Sequence, residues 1–194
     1  MSDAGSPLIL SLLGVAFATA ATPGPNNILV LGSSAVFGRR RALPVYLGVC
    51  LGFPFMVLVV GFMTHLFGAQ LLHGLKVVKW VGAAFLLYLA WKIFMAEPTR
   101  GEDAGDRPAG FWQVVALQWL NPKAWGMAIS TTVMAGEAWY LPFLIYQIVI
   151  FPAVGLWFFS GDLLRIHVLG TRYERWLNRI MGLLLAGSVI LLVM

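Results

Sequence analysis

Charge, cysteine and polar sequence are all scarce in this chain, and each shortage removes a class of protein. The 194 residues include 13 Lys and Arg and 8 Asp and Glu, so 11% are charged against 60% hydrophobic, and the mean hydropathy is +0.84. That composition is too apolar for a water-soluble domain. The single cysteine, Cys50, excludes a thiol–disulfide carrier, which needs a pair, and reads as a small packing residue. The histidines, His65, His73 and His167, fall near the ends of apolar runs without ligand spacing. They offer neither a metal site nor the converging acid, base and metal groups of an intramembrane enzyme. The longest polar stretch, Glu97 to Gly110, contains no glycine-rich phosphate loop, and no cofactor is implied. Function must therefore lie inside the apolar segments.

Apolar runs long enough to cross the hydrocarbon, roughly 20 residues each, occur near 8–36, 42–64, 76–95, 111–135, 138–160 and 176–194. They predict an all-α integral membrane protein of about six transmembrane helices. Met1 to Pro7 carries Asp3 and no Lys or Arg, so the first run is retained as a span rather than read as a cleaved signal. Arg39, Arg40 and Arg41 follow span 1; Lys92, Arg100 and Arg107 separate spans 3 and 4; Arg165, Arg172, Arg175 and Arg179 separate spans 5 and 6. The opposite side has only Lys76 and Lys79. Ten basic residues against two place the odd-numbered loops in the cytoplasm and both termini outside. These flanks account for the formal net charge of +5, which gives no reason to expect nucleic acid as a partner. Trp80, Trp91, Trp112, Trp139 and Trp176 suit either interfacial belts or core packing.

Two spans are interrupted in matching places, at Thr22-Pro23-Gly24-Pro25-Asn26-Asn27 in the first and Asn121-Pro122-Lys123 in the fourth. Leu43-Pro44 recurs as Leu141-Pro142 and Phe53-Pro54 as Phe151-Pro152, all 98 positions apart. Lys79 and Gly82 match Arg179 and Gly182 at 100, and Pro25 matches Pro122 at 97. The offsets predict a duplication, with repeats at 1–96 and 111–194 joined by a cytoplasmic linker at 97–110. Three spans per repeat is odd, so the second copy inserts upside down and the two broken helices face each other near the midplane. Alternating access around that site is the implied mechanism. Gly48 and Gly52 form a small-xxx-small face, suited to packing within the monomer or to a homodimer. Broken helices also build pores, which keeps an uncoupled channel for small polar solutes as the alternative, although rings of charge and a filter sequence are absent.

The first break, then Gly38-Arg39-Arg40, Gly48-Val49-Cys50-Leu51-Gly52, Trp80-Val81-Gly82-Ala83-Ala84, Leu89-Ala90-Trp91-Lys92 and Asn121-Pro122-Lys123-Ala124-Trp125 closely resemble the LysE/RhtB family of amino-acid exporters. The resemblance covers nearly the whole chain. It implies a bacterial inner-membrane protein that exports amino acids or close derivatives from the cytoplasm by proton antiport.

Physically, Pro23 and Pro25 lack an N–H and free carbonyls around residues 19–21, while Gly24 eases the bend. Those carbonyls suit a substrate ammonium. The helix restarting near Asn26 presents N–H groups and a positive dipole end to a carboxylate, and the amides of Asn26 and Asn27 either contact solute or cap the half-helix. Asn121 and Pro122 make the corresponding break. Lys123, the only basic residue well inside a proposed span, either holds the substrate carboxylate or braces the first break by donating to its carbonyls. Gln118, Ser130 and Thr131 line the same region or bond between helices. Asp162 is the candidate proton carrier, with an ion pair to Arg165 as its competing fate. No other carboxylate is available to meet a cationic solute, which favours a small neutral amino acid.

Overall fold

The structure is a computed structural model and describes residues 5–68, 70–95, 108–167 and 171–193. Among these the chain is all helical: α1 (Gly5–Ala21), α2 (Pro25–Phe37), α3 (Arg39–Phe67), α4 (Gln70–Phe94), α5 (Phe111–Leu120), α6 (Pro122–Ala135), α7 (Leu141–His167) and α8 (Arg172–Val193), with a 3-10 turn at Gly136–Ala138. Arg100, Arg107 and most of the 97–110 linker lie outside the described residues, as do the side chains of His73, Lys76, Lys79 and Arg172.

The interruptions fall where proline dictates. A residue preceding proline is pushed out of helical geometry, and Gly24 before Pro25 is extended at φ −176°, ψ 173°. Asn121 before Pro122 is extended at φ −92°, ψ 107°. Each proline then occupies the first turn of the helix that follows, where its missing N–H is harmless. The result is α1 bent against α2 by 52°, and α5 parted from α6 by one residue. Pro44, Pro54 and Pro152 lie inside α3 and α7 without ending them.

α3 and α7 are long and apolar enough to cross a membrane, and the α1–α2 pair reaches that length as one broken crossing. They pack together at the centre, each against the broken helix of the other half: α7 on α1 and α2, α3 on α5 and α6. Phe53 stands edge-on to Tyr146 at 4.8 Å and Tyr46 edge-on to Phe151 at 6.1 Å across this contact. α4 and α8 pair separately through Ala83, Leu86, Ala90, Leu185 and Val189. The Gly48–Gly52 face is filled by α5 of the same chain, since a Cβ at Gly48 would stand 2.8 Å from Val114 Cβ. That face serves internal packing rather than a second copy. Cys50 is buried in the core. Trp80, Trp91, Trp112 and Trp176 point outward, whereas Trp139 stacks on His65.

Candidate functional site

The break between α1 and α2 is stitched closed. Pro23 and Pro25 remove the donors that Thr19 O and Ala21 O would have in a continuous helix. In their place the Thr22 hydroxyl donates to Thr19 O at 2.8 Å, and the Trp157 indole of α7 donates to Ala21 O at 2.9 Å. Asn27, 3% exposed, donates its amide to both Ala20 O and Thr22 O at 2.8 Å. Lys123 Nζ donates to Pro23 O at 3.0 Å. Every carbonyl from Thr19 to Pro23 therefore has a donor, as backbone shielded from water requires. Asn27 does not cap α2. Gly24 holds the N-cap position, and no side chain closes that first turn.

Lys123 carries the second half of the arrangement. Asn121 Oδ1 accepts from Lys123 N at 3.1 Å, capping α6 and fixing where the side chain starts. The ammonium then crosses to the first break, donating to Thr22 O and Thr22 Oγ1, both at 2.9 Å, as well as to Pro23 O. Of the two roles open to this lysine, the geometry is that of the brace. Gly24 leaves room for its stem, because a Cβ there would come 2.8 Å from Lys123 Cδ and 2.9 Å from Nζ.

Asn26 faces α5, donating to Gln118 Oε1 at 2.7 Å, while Gln118 Nε2 also donates to Val114 O at 3.0 Å. Gln118 thus bonds between helices, whereas the hydroxyls of Ser130 and Thr131 return to carbonyls of their own helix. Between the two breaks lies a cavity of about 20 Å³, lined by Gly24, Asn26, Asn27, Asn121, Lys123 and Ala124 among others. That is room for about one water. A groove of about 720 Å³ opens on its other side between α1, α6 and α8, with Thr22, Pro23, Lys123 and Ser130 in its wall. A second groove of about 430 Å³ runs between α2 and α4 past Pro25, Leu29 and Ser33. Pro122 is buried at the start of α6.

Asp162 stands apart from this cluster. Its carboxylate pairs with Arg39 of α3 at 2.8 Å rather than with Arg165 one turn along. Gly38, at φ +77°, turns the chain so that Arg39 returns toward α7, while the Arg165 guanidinium occupies the space beside the bare Gly38 Cα. The i,i+3 partner expected from spacing is thus replaced by one more than a hundred residues away. Two contributors went unrecognised in the sequence. Thr22 supplies two of the three acceptors for Lys123 and had a local signal, a hydroxyl directly before proline. Trp157 had none, because its bond to Ala21 links positions 136 residues apart.

Two broken helices meeting at a small polar cavity inside an apolar helical bundle are the architecture of a membrane translocator. The family model for LysE type translocators matches residues 17–194, and the chain belongs to that family, whose members are transporters and not enzymes. It is 32% identical over 191 residues to the "Cysteine/O-acetylserine efflux protein" of Salmonella typhimurium, covering 93% of this chain and 95% of that one. It is 33% identical over 178 residues to the protein of the same description from Klebsiella pneumoniae, covering 88% and 90%. No solved structure matches.

Proposed function

We propose that this chain is a secondary carrier that exports a small neutral amino acid or close derivative from the bacterial cytoplasm by alternating access, with proton antiport as its coupling. The observation that carries this reading is the convergence of both helix breaks on one cavity. The break offers backbone oxygens that Lys123 now holds and the uncapped first turn of α2, groups that suit the opposite charges of an amino acid. Pro23, Gly24, Pro25, Asn26, Asn27, Asn121 and Pro122 build that site, and Lys123 braces it. Relatives described as effluxing cysteine and O-acetylserine, both small and neutral, support the same substrate class.

Six crossings follow when α1–α2 and α5–α6 each count as one broken span. The pattern of packing supports two inverted repeats, because exchanging α1–α2 with α5–α6, α3 with α7 and α4 with α8 reproduces the main contacts. The basic flanks support both termini outside and an inner-membrane location. Asp162 is the proton carrier in this scheme: protonation would release Arg39 and loosen α3 from α7.

The test is efflux and counterflow in proteoliposomes loaded with labelled amino acids, including cysteine and O-acetylserine, with and without a proton gradient. Saturable, gradient-stimulated flux with counterflow, lost in Asn26→Ala at normal protein level, is expected. Flux that never saturates would turn the reading toward a channel, and no amino-acid flux at all would end it.

A further inference from the structure

The oxygens that Lys123 holds form a complete receptor for a primary ammonium. Thr22 O, Thr22 Oγ1 and Pro23 O stand 2.9, 2.9 and 3.0 Å from Nζ, one acceptor for each of its three N–H bonds. The α-ammonium of an amino acid presents the same three donors. Building on the carrier reading above, we infer that this seat is the substrate's ammonium site, and that Lys123 fills it whenever substrate does not, so that lysine and substrate exclude one another.

Three features support the exchange. First, Thr22 and Pro23 line the groove of about 720 Å³, which gives an amino acid access to the seat, whereas the cavity between the breaks measures only about 20 Å³ with the lysine in place. Second, Lys123 lines both that cavity and the groove of about 720 Å³, so withdrawing its stem frees room on both sides of the seat. Third, the seat is the part of the break built to change hands. Thr19 O, Ala20 O and Ala21 O are satisfied by a neighbouring hydroxyl, a buried amide and an indole, whereas the seat's donor sits on a flexible four-carbon stem. Thr22 O keeps its bond from Asn27 when the lysine leaves, so the bend survives the exchange.

The consequence is a division of labour during the cycle. With substrate aboard, the seat is filled on every crossing. After release, Lys123 must refill it, because Pro23 O has no other side-chain donor and an unpaired acceptor penalises the empty carrier as it reorients. Lys123 is thus required for the return of the empty carrier and dispensable for one-for-one exchange.

The experiment compares net efflux with substrate–substrate exchange in proteoliposomes of wild type, Lys123→Ala and Gly24→Ala. In Lys123→Ala exchange should persist while net efflux falls by roughly tenfold, as expected for one orphaned acceptor, Pro23 O, and ethylammonium supplied on both sides should restore it. Gly24→Ala crowds the lysine stem without removing its charge, so it should shift the same ratio less strongly, and it decides the matter if Lys123→Ala does not fold. Exchange and net efflux lost in equal measure in the variants, or net efflux left intact in Lys123→Ala, would overturn the inference while leaving the carrier reading in place. Wild type without any exchange would overturn both.

Discussion

Two adjacent asparagines, Asn26 and Asn27, have different work, and replacing each with alanine separates them. Asn27 is buried and donates to Ala20 O and Thr22 O. In Asn27→Ala, Thr22 O retains Lys123, so that loss is worth about 0.6 kcal/mol, a typical intramembrane hydrogen bond. Ala20 O is left with no side-chain donor, at about 1–3 kcal/mol. Together the change amounts to about 2–4 kcal/mol, which for a chain of this length lowers the melting temperature by roughly 4–16 °C. Asn26→Ala forfeits the reciprocal pair with Gln118, at 2.7 and 3.4 Å, and leaves the buried Gln118 Oε1 without a side-chain donor while its amide still reaches Val114 O, so about 1–3 kcal/mol is expected, a smaller drop than for Asn27→Ala. Thermal melting of the purified variants in detergent, followed by intrinsic fluorescence, measures both. If Asn27→Ala melted with or above Asn26→Ala, the stitched break would not be holding α1 to α2, and the reasoning would be refuted.

Gly161→Val drives a side chain into the backbone of α2, since even a Cβ would stand 2.8 Å from Ser34 Cβ and 3.1 Å from Ala35 N. Overpacking of about 1–3 kcal/mol is expected, read as a lower melting temperature, with Gly161→Ala showing a smaller drop. Trp157→Phe removes the indole donor to Ala21 O; a loss of about 1–3 kcal/mol in the same melting assay would confirm that α7 closes the break. Asp162→Asn disrupts a partly exposed ion pair with Arg39, worth at most about 1 kcal/mol in stability. If Asp162 carries the proton, gradient stimulation of efflux disappears in this variant while exchange continues. Persistence of that stimulation rules it out.

The breaks were legible because their causes are local. Proline removes a donor and biases its predecessor, and at Gly24-Pro25 and Asn121-Pro122 a glycine or asparagine stands directly before it, whereas Pro44, Pro54 and Pro152 leave their helices unbroken. The long packed runs of α3 and α7 were equally plain from hydropathy. What periodicity could not show was which distant group answers each freed carbonyl. Lys123 reaches Thr22 and Pro23 across about a hundred residues, and the choice between brace and ligand depended on that distance. Asp162 shows the opposite failure. Its neighbour at i+3 looked like the partner, but the positive φ of Gly38 brings Arg39 back to α7 instead, a long-range consequence of one turn.

Each carbonyl of the bend from Thr19 to Pro23 has gained a side-chain donor, which leaves the joint little slack. α1 and α2 are therefore held as one elbow, tied to α6 through Lys123 and to α7 through Trp157. The same ties make the elbow intolerant of length. One residue inserted in the first turn of α2, between Pro25 and Asn26, would rotate the residues beyond it by about 100°, carrying the Asn27 amide away from both carbonyls and Asn26 away from Gln118 in a single step. For an engineer seeking altered substrate range, this stretch is closed to insertion or deletion, and Asn27 within it is costly to replace.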